Sequence, residues 1–141
     1  MRLTAGVTLV IVVGTVVATV AQGGTSAWAK QADRVCSVWD AKAKKVLGTM
    51  PPKTSAKAYN FAVKVAALET GELAALKKIP HPTTAGAKAL HATQADIAEV
   101  KAAIHDWRVG KRAALAKVYT AWVSDRRADN AFIAAGARGC S

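Results

Sequence analysis

Three histidines, His81, His91 and His105, are the residues of this 141-residue sequence best suited to ligate a metal or move a proton near neutral pH. His91 and His105 are 14 positions apart, which brings both to nearly the same face of a helix. At a rise of about 1.5 Å per residue they lie about 21 Å apart along its axis, too far to share an ion. His81 stands between Pro80 and Pro82, in a segment expected to be a solvated loop. The carboxylates pair at helical spacing: Glu69 with Glu72, Asp96 with Glu99, Asp125 with Asp129. Paired acids on facing helices build the di-metal centres of some bundles, but those centres also use Glu-x-x-His pairs. None of Glu69, Glu72 and Glu99 has a histidine three residues on, so no metal ligand is assigned. Asp129 falls on an apolar stripe close to Arg126, and an internal salt bridge between the two is the simplest expectation. Ser124-Asp125 has no nucleophile-elbow context, so no catalytic residue is assigned and the chain is expected not to be an enzyme. No cofactor is expected either.

The basic residues offer a different chemistry, the attraction of polyanions. Lys53, Lys57 and Lys64 fall within about 40° of one another on a helix turning by about 100° per residue. Lys111-Arg112 forms a second pair after Gly110, and smaller clusters occur at Lys42, Lys44 and Lys45, at Lys77-Lys78 and at Arg126-Arg127. These five residues, Lys53, Lys57, Lys64, Lys111 and Arg112, are the candidate contacts for anionic polymers or lipid headgroups. The charge is spread over every segment, and no nucleic-acid-binding signature accompanies it. No specific nucleic-acid partner is expected.

The segments that must position these groups are set by breakers: Gly48 with Pro51-Pro52, Pro80-His81-Pro82, Gly110, and Gly136 with Gly139. Between them lie four stretches of helical periodicity. The first, about 31 to 49, carries Val35, Trp39, Ala43 and Val46. The second, about 54 to 79, opens at Thr54-Ser55 and carries Phe61, Val65, Leu68, Leu76 and Ile79, with Glu72 interrupting the line. The third follows Pro82, with Thr83 or Thr84 as cap, and carries Leu90, Ile97, Val100, Ile104 and Trp107. The fourth carries Leu115, Tyr119, Trp122 and Ile133, with Phe132 beside the last, and stops near Gly136. Abundant alanine and few β-branched residues after the N-terminal segment favour helix over strand. The expected fold is all-α, an antiparallel bundle of four helices. It becomes three if the break at Gly110 is only a kink.

The N-terminal segment is of another kind. Arg2 precedes a run without charge from Leu3 to Ala21, and small and polar residues lead to Ala27-Trp28-Ala29 before Lys30. A positive start, an apolar middle and a small-x-small exit are the parts of a secretory signal. Residues 1–29 are read as a signal peptide, cut after Ala29, and 30–141 as one helical domain. Thr19-Val20-Ala21 also satisfies the cleavage rule, and an uncleaved anchor is the other alternative, since 19 apolar residues approach the length of a bilayer span. In each case positive charge stays inside and residue 30 onward lies outside the cytoplasm. Removing 1–29 leaves 112 residues and takes away only Arg2 among the charges, so the net charge falls from +11 to +10. In an oxidising compartment Cys36 and Cys140, 104 positions apart and in no C-x-x-C motif, are expected to form a disulfide.

Cys36 opening the first helix, the Pro51-Pro52 break and the ending Ala134-Ala135-Gly136-Ala137-Arg138-Gly139-Cys140 together resemble the small secreted or envelope-associated proteins common in actinobacteria, many without assigned function. That resemblance covers the domain loosely and implies a helical bundle with a terminal disulfide; it transfers no catalytic residue. Mycobacterial exported haem-binding proteins are another small, two-cysteine helical group, but only His81-Pro82 matches their motif. The expectation is a non-enzymatic extracytoplasmic module, a binding or structural accessory of the envelope. A small-ligand carrier for haem or lipid is the alternative, and a secreted hydrolase a remote one.

Overall fold

The structure is a computed structural model that describes residues 26–49, 51, 56–124 and 126–141, with the backbone alone at 122–124. The expected signal segment up to residue 25, the candidate contact Lys53, the candidate caps Thr54 and Ser55, Asp125 and the Trp122 side chain lie outside the described residues. Among those described, five α-helices and one 3-10 turn account for the regular structure: α1 Ala27–Leu47, α2 Ala56–Leu76, α3 Thr84–Arg108, α4 Ala113–Ser124, α5 Arg127–Ala134, and the turn Arg138–Cys140. None of these helices is long and apolar enough to cross a membrane.

The breakers act as the sequence suggests. Thr83 caps α3 by accepting from the Gly86 N–H at 3.0 Å. Gly110, at φ 87°, takes the left-handed conformation that separates α3 from α4, so these are two helices rather than one kinked rod. Two differences stand out. The first helix begins earlier than residue 31: Ser26 accepts from the Ala29 N–H at 3.1 Å, and Ala27, Trp28 and Ala29 are its first turn. The expected fourth helix is two, α4 ending at Ser124 and α5 starting at Arg127, without a glycine or proline in the sequence between to announce the division.

The apolar residues collect in two clusters at opposite ends of the molecule. One joins Trp28, Ala29, Ala32 and Cys36 of α1 to Leu76, Ile79, Ala89 and Phe132. The other joins Phe61, Ala62 and Ala66 of α2 to Val100, Ile104, Leu115 and Tyr119. Alanine at the contact positions lets the helix backbones approach closely, and two glycines carry this further. A Cβ at Gly71 would lie 2.9 Å from Cζ3 of Trp39, and a Cβ at Gly86 would lie 2.9 Å from Cε3 and Cζ3 of Trp28. The expected stripes are right in period but shifted in phase at the ends. Val46 is 45% exposed and Ile133 42%, while Cys36 and Phe132 take the buried positions.

The disulfide is present: Cys36 and Cys140 are bonded, with Cα atoms 5.1 Å apart. A second clasp holds the same tail, because the Gly139 N–H donates to Asp33 Oδ1 at 2.7 Å.

Candidate functional site

Among the described residues two concave regions bear on function, one acidic and one basic. The acidic one is a cavity of about 260 Å³ between the two apolar clusters. Leu76, Val100 and Phe132 supply its apolar wall, and Glu69, Glu72, Asp96, Glu99 and Asp129 supply five carboxyl groups. The i,i+3 pairs of α2 and α3 therefore face one cavity. Arg127, at the start of α5, is the cation among them, with its Nη2 3.2 Å from both Asp96 Oδ1 and Glu99 Oε1.

Burial dominates the electrostatics here. It pushes the Glu69 carboxyl up from 4.5 to about 7, with the negative charges of Asp96 and Glu72 adding to the effect. Glu72 is likewise raised to about 7, first by burial and then by Asp40. Glu69 Oε2 is buried and has no hydrogen-bond partner among the described residues. Near neutral pH the cavity can hold one or two protons on these carboxyls, and its lining favours a cationic or neutral guest over an anionic one. Among the described residues no group of three or more His, Cys, Asp or Glu side chains could hold a metal ion. His81, His91 and His105 are all exposed and none lines the cavity. Arg126 and Asp129 do pair, Nε to Oδ2 at 3.2 Å, but at the surface rather than within the core.

The basic region lies at the end of the molecule formed by the start of α2. Lys57 and Lys64 line one shallow groove with Leu47, Pro51, Asn60 and Phe61. The other two described candidates are placed apart from it. Lys111 Nζ is 3.8 Å from Asp106 Oδ1, and the Arg112 guanidinium lies 5.3 Å from the Trp107 ring centroid. They belong to a cluster that sequence reading missed. Tyr59 and Trp107 stack at 6.2 Å between centroids, and Arg108 Nε donates to the Tyr59 hydroxyl at 2.6 Å. On α2 Tyr59 is about 200° from Lys57, so groove and cluster occupy different faces of the same end. The signal for this cluster was available only in part. Trp107 stood at the end of the α3 stripe, but nothing in sequence paired it with a tyrosine 48 residues earlier.

The signal for the acidic cavity was Glu72 interrupting the apolar line of α2 and Asp129 lying on that of the last helix. A charged residue within an apolar stripe faces either an ion pair or a cavity, and the third dimension decides which. Comparison with protein-family models, with curated proteins and with solved structures finds no match to this chain.

Proposed function

We propose that this chain is a non-enzymatic module working outside the cytoplasm, at or near the cell envelope, where its basic end binds anionic polymer or lipid headgroups. The observation that carries this reading is the groove shared by Lys57 and Lys64. Arg108, Lys111 and Arg112 add positive charge on an adjoining face of the same end, around an aromatic stack. A net charge of +11 over the whole sequence draws anions from a distance, and a groove with two ammonium groups gives them a place to settle. The disulfide supports placement in an oxidising compartment.

The test is binding to vesicles of phosphatidylglycerol and phosphatidylcholine, against vesicles of phosphatidylcholine alone. Each Lys at an anionic surface contributes about 1 kcal/mol, so Lys57→Glu with Lys64→Glu should weaken binding by at least about tenfold. Lys77→Glu with Lys78→Glu makes the same change in net charge at the other end of α2. If both double variants weaken binding equally, the groove has no special role and only net charge remains.

A second reading, carriage of a small ligand, is favoured by the acid-lined cavity. Its chemistry narrows that reading. At about 260 Å³ the cavity lies just below the usual range for small-molecule sites, about 300–1,000 Å³. The carboxylates left ionised in this lining outnumber Arg127 and disfavour the carboxylates of haem or of a fatty acid. Titration of haem into the protein should leave the Soret band of free haem unshifted.

A further inference from the structure

The first turn of α1 belongs to the folded domain, not to a segment leading up to it. Ser26 Oγ accepts from the Ala29 N–H at 3.1 Å and so caps the helix. Trp28 is 3% exposed, and Ala29 and Ala32 are 0% exposed. All three sit in the apolar cluster that also holds Cys36, Leu76, Ile79 and Phe132. The contact with α3 is shaped for the indole: at Gly86 a Cβ would come within 2.9 Å of Cε3 and Cζ3 of Trp28. Gly86 lies in the first turn of α3, where alanine is also the better helix former, so a glycine where an aromatic ring meets the backbone is a matched pair.

We infer that the export peptidase cuts N-terminal to Ser26, and that Ala27-Trp28-Ala29, despite its small-x-small pattern, is not the processing site. A cut after Ala29 would remove the cap and the largest side chain of that cluster together and open a hollow against Gly86. Small-x-small sequences upstream of it include Thr19-Val20-Ala21 and Ala21-Gln22-Gly23, of which the first directly follows the apolar run. Water added across the Ala21–Gln22 peptide bond would leave a carboxylate on the leader and an α-amino group on Gln22. Residues 22–29 carry no charged side chain, so the basic balance of the exported domain is the same for either cut. The inference rests on export, as proposed above, and not on what the basic end binds.

Intact mass of the product exported by bacteria expressing the full chain decides it. A chain beginning at Gln22, free or cyclised to pyroglutamate, or at any residue up to Ser26, is the expected result. A chain beginning at Lys30, or one that retains Met1, overturns it.

A second measurement reads the same point through stability. In the exported protein Gly86→Ala should lower the thermal midpoint, because the new methyl collides with Trp28. Combined with Trp28→Ala, the same change should raise the midpoint by a few °C relative to Trp28→Ala alone, since alanine is then simply the better helix former. A rise from Gly86→Ala in the exported wild-type protein would show that Trp28 is not there, and would overturn the inference.

Discussion

Glu69 and Glu72 are held near neutrality by burial, and this couples the protein's stability to pH in a defined direction. In the unfolded chain both titrate near 4.5, and in the folded chain near 7. Between these values the folded chain binds more protons than the unfolded one, so stability falls as pH rises through the window. The stabilising contribution is fully present below about pH 4.5 and gone above about pH 7. For Glu69 the rise corresponds to about 3 kcal/mol. Glu69→Gln should therefore raise the unfolding free energy at about pH 8 by on the order of 2–3 kcal/mol and change it little at about pH 4, as read by urea denaturation at both. Arg127 works the other way. Its guanidinium is half-exposed, so removing its pairs with Asp96 and Glu99 should cost only about 1 kcal/mol. Arg127→Gln should show that loss by urea denaturation at about pH 8. The pairing of these acids within α2 and within α3 was legible from their spacing. Their meeting across one cavity was not, because spacing along one helix carries no information about which face its neighbour presents.

At the scale of elements, the helices follow from periodicity and the breaks from glycine and proline, with one exception that matters. Arg126-Arg127-Ala128 contains no breaker, yet α5 begins at Arg127 after α4 ends at Ser124. That division turns Phe132 into the core and brings Arg127 to Asp96 and Glu99. Position 132 is buried and 133 exposed, a phase that a stripe read continuously from Leu115 to Ile133 gets wrong by one residue. Close helix contact is the other element-scale feature. The outer edge of the Trp39 indole of α1 comes close enough to α2 that Gly71 leaves no room for a methyl. Gly71→Ala, which helix propensity alone would make stabilising by about 1 kcal/mol, should instead destabilise, by about 1–3 kcal/mol. Thermal unfolding of Gly71→Ala beside Gly71→Ala with Trp39→Ala checks it, since the second substitution should restore the propensity gain. Tyr119 joins α4 to the start of α2, its hydroxyl donating to the Ala58 carbonyl oxygen at 3.1 Å. Tyr119→Phe leaves that buried carbonyl short of a donor and should cost about 1 kcal/mol by urea denaturation.

For the molecule as a whole, two apolar clusters built largely from alanine make a modest core, and the disulfide compensates. It closes 104 residues and ties the middle of α1 to the tail, where Asp33 and the Gly139 N–H add a polar clasp. In the chain-entropy account such a loop contributes up to about 4.7 kcal/mol, reduced by any native strain. Reduction should accordingly lower the thermal midpoint by roughly 10 °C or more, and Cys36→Ser with Cys140→Ser should reproduce the shift without reductant. Charge is also arranged at this scale. Glu69, Glu72, Asp96 and Glu99 gather at the waist, while Lys57, Lys64, Arg108 and Arg112 lie at one end, where Asp106 pairs with Lys111.

The sequence by itself determined the helical class, the places of most breaks, the disulfide and the excess of positive charge. Each of these depends on local preference, composition or the count of one residue type. Only the tertiary structure decided that Trp28 and Ala29 are core, that Glu69, Glu72, Asp96 and Glu99 share a cavity with Arg127, and that Lys111 and Arg112 lie apart from the groove of Lys57 and Lys64. These are relations between side chains on different helices. They depend on the rotation of each helix about its axis, which is fixed by how alanine, glycine and tryptophan interlock and not by any one segment alone.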